Sequence, residues 1–355
     1  MKLSKTLVFG AGLLLMGCLN QLQTETSATD KPEVRIAFYN VENLFDTEDD
    51  PHRLDEEFLP TSDKKWDNAR YEDKIAKLAQ VVAAMNYPEV LGVAEIENEA
   101  VLRKLIAHPD LAEAEYDLVH YDSPDVRGID VALLYRRVSF TPVSSQTIPV
   151  TFEEDNYKSR DILLVSGTLG KDAKYNTVHV LVNHWPSRRG GVSESEPRRR
   201  VAAQAARRTV DELLQTDPLA NIVLMGDFND EPTNRSITDE LQATGEVQKK
   251  SPSHLYNTVA ALDAQGQGSY NFRGDWNMLD QIILSPGMVE NDRDASDYHY
   301  RPESAAVFMP DWLLQADGKY QGHPDRTYAG DTYLGGYSDH LPVYIELTTE
   351  DEAVF

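Results

Sequence analysis

Two short segments of the chain each set an acid beside a group that can work with it. Gly226-Asp227-Phe228-Asn229 follows the buried run 221–225, and Ser338-Asp339-His340-Leu341-Pro342 precedes the apolar run 343–348. In the first, a small Gly and short polar side chains suit a tight turn that presents a carboxylate and a carboxamide to one point. Asx residues that merely cap a turn leave the same pattern, so the spacing alone decides little. In the second, the adjacent Pro and the apolar run fix an imidazole and a carboxylate at a strand entrance. Asp339 can ligate a metal there, and His340, if a second acid orients it, can act as general base or stabilise an oxyanion. Asp280, at the start of the run 280–284, is a plausible orienting acid. A lone His, in contrast, is more often structural.

Three further segments have the same character. Asn183-His184-Trp185-Pro186-Ser187-Arg188-Arg189 places a second His at a strand end, followed by a basic pair; arginine matches phosphate oxygens bidentately, whereas the bland reading is a solvated loop. The run Arg198-Arg199-Arg200 reads more readily as a helix face. Ala94-Glu95-Ile96-Glu97 ends a strand with two acids; alternation points both the same way, toward a metal, unless Glu97 starts the next turn. Asn40, Glu95 and Asp339 are the ligand types that hard cations such as Mg²⁺ take. Asp130, after Arg127-Gly128, reads as buried beside a strand before it reads as a site residue.

The elements that must position these groups are legible as hydrophobic patterns. Val34, Ile36 and Phe38 alternate as in a half-buried strand, with Asn40 and Glu42 at its end. Residues 68–86 carry apolar side chains at helical spacing, and 90–94 form a short buried run leading to Glu95. Similar strands are expected at 130–135, 161–168, 178–183, 221–225, 280–284 and 343–348. A second helix is expected with Pro197 in its first turn, running to about Gln215. Asn40, Glu95, His184 and Asp227 all fall just after strands, where a rigid sheet positions catalytic loops.

Taken in order along the chain, Asn40 in Tyr39-Asn40-Val41-Glu42-Asn43-Leu44-Phe45, Glu95, His184, Gly-Asp-Phe-Asn, Asp280 and Ser-Asp-His resemble the endonuclease/exonuclease/phosphatase superfamily, over nearly the whole mature chain. The resemblance implies a layered α/β sandwich of two mixed β-sheets flanked by helices, with the site at one end of the sheets. It implies that Glu95 binds the essential Mg²⁺ (Mn²⁺ and Ca²⁺ being alternatives), with Asn40 and Asp339 completing or neighbouring its shell. Asp227 would position or activate water, Asn229 would contact the phosphate, and His340 paired with Asp280 would stabilise the transition state or move a proton. His184 matches the second histidine of the deoxyribonuclease-like branch, and Arg188 and Arg189 are candidates for binding substrate phosphate. Glu42 stands where many relatives have a shorter acid or an amide, and Ala94 where many have Gln, so metal geometry is open to differ.

The N-terminus reads as a leader. Lys2 and Lys5 precede an apolar stretch from Leu7 to Met16 that is too short to span a bilayer, and Leu15-Met16-Gly17-Cys18 resembles a bacterial lipobox. The expected organisation is a lipoprotein-type signal over 1–17, a lipidated Cys18 with a flexible tether over 18–32, one catalytic domain over 33–348, and an acidic tail over 349–355. Cys18 is the chain's one cysteine, so the mature protein forms no internal disulfide. The net charge of −25 argues against gripping nucleic acid through bulk electrostatics without excluding a nuclease, since local arginines can hold one phosphate while carboxylates hold a cation. The expected partners are a nucleic-acid or other phosphodiester substrate and, through Cys18, a membrane; no protein partner is inferred. A lipid or small-molecule phosphoesterase and a catalytically silent binding lipoprotein are the rival readings.

Overall fold

The computed structural model describes Met1 and residues 33–152, 157–170, 177–247, 253–289 and 297–349. The leader after Met1, Cys18 with the whole tether to residue 32, and residues 350–355 of the tail lie outside these. Pro32–Phe355 is one compact unit. Among the described residues no helix is long and apolar enough to cross a membrane.

The architecture is two mixed β-sheets face to face with helices on their outer faces, as the resemblance implies. The first sheet runs His299–Tyr300, Val343–Thr348, β1 (Val34–Leu44), β2 (Val90–Ile96), β4 (Asp130–Arg136), β3 (Tyr116–His120), with Ala306–Val307 also paired to Val343–Thr348. The second runs β5 (Phe140–Ile148), β6 (Ile162–Leu169), β7 (Thr177–His184), β8 (Asn221–Asp227), Asp280–Leu284, Leu255–Asn257, Ala243–Thr244. Strands β1 and β2 are parallel, as are β7 and β8, so each sheet aligns two strands whose C-terminal ends open at the same edge.

Ile36 and Phe38 of β1, Val90 and Ala94 of β2, Val180 and Val182 of β7, and Val223 and Met225 of β8 meet between the sheets in an aliphatic core. The opposite face of β1 is not the solvated one its alternation predicts. Ala37 and Tyr39 are also buried, because α1 (Asn68–Ala84) and α2 (Glu99–Ile106) cover that face with Ile75, Leu78, Val82 and Leu102. A central strand covered by helices is buried on both sides. Asp67 caps α1, its side chain accepting from the Arg70 N–H.

The outer face of the second sheet is covered by α3 (Val192–Thr216), whose Ala202, Ala203, Ala205, Ala206 and Val210 pack on Leu181, Ile222 and Leu224. This helix starts a turn earlier than Pro197 suggests. Pro197 is exposed and inside the helix, and the carbonyl its missing N–H leaves free, that of Ser193, is on an exposed residue that water can satisfy. Nor is Arg198-Arg199-Arg200 a uniform solvated face. Arg199 is 0% exposed, with Nε 2.7 Å from Asp230 Oδ1, while Arg200 binds Glu240 and Arg198 lies over the Tyr157 ring. Small alanines around Arg199 leave room for its guanidinium to reach the loop after β8.

Without Arg199 the buried Asp230 keeps, among the described residues, only Arg188 at 3.7 Å and the Ser236 hydroxyl, so Arg199→Ala should lower unfolding stability by up to about 3–5 kcal/mol. Chemical denaturation checks this; a loss below about 1 kcal/mol would mean that Arg188 and Ser236 hold Asp230 without Arg199.

Candidate active site

The convergence begins in the backbone. In the parallel register β7 faces β8 with Asn183 opposite Gly226 and His184 opposite Asp227, and Asp227 in turn faces Asp280 on the next strand. Gly226 is needed here, because a Cβ at this position would stand 2.3 Å from the Asn183 carbonyl oxygen. Across the interior, Asn40 of β1 sits opposite Ala94 of β2, and both strands are irregular just beyond that point. Glu42, Asn43, Glu95 and Asn229 all adopt left-handed φ between 50° and 64° without being glycine. Such strain clusters at sites where the surrounding structure over-determines the backbone.

These bends decide which acids meet. Glu95 turns into the cluster, with Oε1 3.4 Å from the Asn40 amide nitrogen and Oε2 accepting the Asn43 N–H at 3.1 Å. Glu97 does not join it, contrary to simple alternation. The bulge at Glu95 breaks the two-residue period, and Glu97 instead accepts the Asp46 N–H at 2.7 Å. Burial pushes the Glu97 carboxyl up to about 8, helped by Asp46, Asp55 and Asp50 nearby.

Asn40 is fully buried and donates to Asp227 Oδ2 at 3.1 Å, while its amide oxygen takes the Glu42 N–H at 3.1 Å. It therefore orients two carboxylates. The Ser338 hydroxyl donates to the Asn40 carbonyl at 2.7 Å and accepts the His340 N–H at 3.1 Å, tying the Ser-Asp-His segment to the end of β1. His340 Nδ1 is 2.7 Å from Asp280 Oδ2, and its ring packs against Tyr270 with centroids 4.8 Å apart. Asn229 N–H caps Asp227 Oδ1 at 2.9 Å, and the Asn229 amide donates to the Trp185 carbonyl at 3.1 Å.

Asp227 is thus flanked by two imidazoles. His340 Nε2 lies 3.8 Å and His184 Nε2 3.6 Å from its Oδ2, and His184 Nε2 is also 3.8 Å from Glu95 Oε1. The two rings have opposite electrostatics. Burial alone would lower His340, but Asp280 and Asp227 hold it well above the ordinary imidazole value. His184 is driven well below that value by burial and then by Arg160 and Arg127. Asp227 is raised to about 7, chiefly by burial and against the pull of His340.

Asp339 is half-buried and meets Arg326, whose guanidinium is 2.9 Å from Asp339 Oδ2 and 3.3 Å from Glu42 Oε1. Glu42 also takes the Thr327 N–H at 2.7 Å and is pushed up to about 7, first by burial and then by Asp339. Lys74 reaches in from α1 to the Thr327 hydroxyl and the Tyr337 carbonyl; burial lowers it to about 8, although Glu42 and Asp339 oppose this. Arg188 is spent on the loop itself, donating to the Asn229 carbonyl at 2.7 Å and to Asn277 and Asn234. Arg189 is exposed and lines a separate groove along α3 with Arg198 and Arg208, so the structure does not bring it to the cluster.

Sequence reasoning missed Arg326, Lys74 and Arg160. Arg160 is buried, donating to the His184 carbonyl at 3.1 Å and the Trp185 carbonyl at 2.5 Å while pairing with Asp125 at 3.0 Å. None of the three lies in a motif, and each is defined by partners far away in the chain. A divalent cation suits the donor set. Glu95 and Asp227 share the Asn40 amide, Glu42 and Asp339 share Arg326, and Glu95 has no Lys or Arg partner among the described residues. Asp227, Asp280 and His340 also present ligand atoms within 4.8 Å of one another, although the short His340–Asp280 bond occupies two of them.

Residues 35–349 match the model of the Endonuclease/Exonuclease/phosphatase family, and the chain belongs to that family. Its fold and acidic site are those of a phosphoester hydrolase able to hold a divalent metal. No curated protein sequence matches it. Among solved structures it resembles the human nocturnin catalytic domain with bound sulfate at 16% identity, covering 90% of this chain and 95% of that one, with TM-score 0.53. D. rerio TDP2 complexed with a single-strand DNA product is similar at 13% identity, 89% and 99% coverage and TM-score 0.54. A mannosyl-6-phosphatase from Bacteroides thetaiotaomicron VPI-5482 is similar at 17% identity, 89% and 99% coverage and TM-score 0.53.

Two titrations test the electrostatics. In Asp280→Asn the His340 imidazole loses its nearest anion, so its NMR-detected pKa should fall relative to the parent; an unchanged value would mean that Asp280 does not set its charge. For Glu97, a folded-state pKa above the unfolded one means that its contribution to stability is present below about pH 4.5 and is lost as pH rises through about 8. Glu97→Gln should therefore raise the melting temperature at pH 9 relative to the parent, by about 2 °C per kcal/mol recovered, with the gain shrinking toward pH 5.

Proposed function

We propose that this chain is a Mg²⁺-dependent phosphodiester hydrolase acting on nucleic acid, exported and held at a bacterial membrane through a lipid on Cys18. The observation that carries the catalytic part is Asp227 between a cationic His340 and a neutral His184. Both imidazoles stand too far from Asp227 for a direct hydrogen bond, so neither is quenched by it. Asp227, raised to about 7, is a base matched to neutral pH, and Asn229 holds one of its oxygens so that the other faces the reacting water. His340, kept protonated by Asp280, offsets charge building on a phosphoryl oxygen or gives a proton to the departing alkoxide.

Glu95, with Asn40 beside it and Asp339 as a further ligand, would hold the cation, which would supply Lewis-acid neutralisation of the phosphoryl oxygens. Arg326 would position Asp339 and Glu42 from the outer side. The nucleic-acid assignment rests on His184, which matches the deoxyribonuclease-like branch, and the TDP2 relative bound to a DNA product agrees with it. Export and anchoring rest on the lipobox-like Leu15-Met16-Gly17-Cys18 after a short apolar stretch.

One observation favours a second reading, a small phosphoester as substrate. A cavity of about 240 Å³ opens beside Glu42 and Asn43, lined by Lys64, Arg326, Phe58, Trp66 and Tyr328, and is sized for one ring rather than a polymer. The similarity to a mannosyl-6-phosphatase points the same way.

The test is hydrolysis of plasmid DNA, RNA, a phosphodiester reporter and sugar phosphates. Chelation should abolish turnover and Mg²⁺ restore it, while His340→Ala should lower kcat by about 10²–10⁴. Cleavage of DNA or RNA lost in that variant supports the first reading. Turnover confined to sugar phosphates or small diesters replaces it with the second, and no metal-dependent turnover of any substrate overturns both.

A further inference from the structure

We propose a second metal site at the base of the β3–β4 hairpin, where His120, Asp122 and Asp130 would bind a divalent transition-metal cation of the zinc or manganese class. The three residues lie outside the Asp227 cluster, and each offers a ligand atom within 4.8 Å of the other two. His120 Nε2 is 2.9 Å from Asp130 Oδ2, and both side chains are almost fully enclosed, at 4% and 2% exposure. Tetrahedral ligands about 2.1 Å from a zinc ion stand about 3.4 Å apart, so a small opening of the His120–Asp130 contact admits one. One imidazole nitrogen with two carboxylates is a donor set for zinc or manganese rather than for calcium, which prefers oxygen alone.

Charge supports a cation there. Among the described residues neither Asp122 nor Asp130 has a Lys or Arg ion pair, so one imidazole faces two carboxylates. Were the contact a plain His–Asp hydrogen bond, Asp122 would gain nothing by staying close, since it is exposed and free to turn to water. The surroundings also hold the ligands in place as outer-shell partners do. Asp130 Oδ1 accepts the Ser123 N–H at 2.8 Å, and the Ser123 hydroxyl donates to the Ile129 carbonyl at 3.2 Å.

The position gives the cation a role. The same hairpin carries Asp125, which grips Arg160, and Arg160 holds the backbone carbonyls of His184 and Trp185. A cation at its base would stiffen the support of His184 from the far sheet. The site does not depend on the substrate assigned above.

The test is calorimetric titration of Glu95→Gln with ZnCl₂ or MnCl₂ alone, before and after adding Asp122→Asn. Because Glu95→Gln weakens the active-site cluster, the bound equivalent that Asp122→Asn weakens at least 10-fold is the one assigned here. Asp122 is exposed, so the metal-free melting temperature should not change, whereas the rise on adding Zn²⁺ or Mn²⁺ should shrink. Failure of Glu95→Gln to bind either ion, or binding that Asp122→Asn leaves unaltered, would overturn the proposal, whatever the enzyme's activity.

Discussion

Asp227 and Asp280 stand opposite each other on adjacent strands, both essentially inaccessible to water, and among the described residues the cationic side chain bonded to either is His340, 2.7 Å from Asp280. Burying two like charges side by side is costly unless one shares a proton or a cation is fixed between them. His340 can be that cation only while its ring is held in place, and three features hold it. Ser338 ties its backbone to β1, Tyr270 covers its face, and the following Leu341 is locked into the core beneath α1. The arrangement therefore needs both sheets and the segment joining the last strand to be in place at once, which makes the site depend on the complete fold. Glu42 and Asp339 repeat the problem near the end of β1, with Arg326 and Lys74 as the answering cations.

How much of this was legible in the sequence follows from the range of each interaction. The strands over 130–135, 178–183, 221–225, 280–284 and 343–348 were readable because a buried strand announces itself in a few consecutive apolar residues. The positions of Asn40, His184, Asp227 and Asp280 at strand ends followed from the same pattern. The orientation of Glu97 did not follow, because the bulge at Glu95 leaves no trace in a two-residue period. Arg326 and Lys74 were invisible for another reason. Glu42 lies far from Arg326 in the chain, as Thr327 does from Lys74, and a buried Lys on the apolar face of a helix looks like an interruption until the opposing carboxylates are seen. Arg199 had the same ambiguity within its arginine run.

The acidic composition and the local chemistry are compatible for the same reason. A net charge of −25 sets a repulsive long-range field for a polyanion, but that field is screened within about 8–10 Å in salt, whereas the cluster acts at contact distance. A bound cation together with a protonated His340 would change the sign of the potential where a phosphate would sit without altering the surface as a whole. Selectivity for a phosphoester then comes from the pocket, and the rate of encounter receives no help from the field.

Strain and charge draw on one reserve. Left-handed φ angles at Glu42, Asn43, Glu95 and Asn229 cost on the order of 1–3 kcal/mol each, and the buried carboxylates add desolvation. Both costs fall at the open ends of β1, β2 and β8, while the stabilising burial lies deeper, in the aliphatic layer between the sheets and under the helices. Exchanging the acids for amides would relieve the charge term, and relaxing the bends would relieve the strain. The first change would remove the charge that Asp227 sets between the two histidines, and the second would move Glu95 from its place beside Asn40 and His184. The site thus carries strain and buried charge that the packed sandwich beneath it offsets.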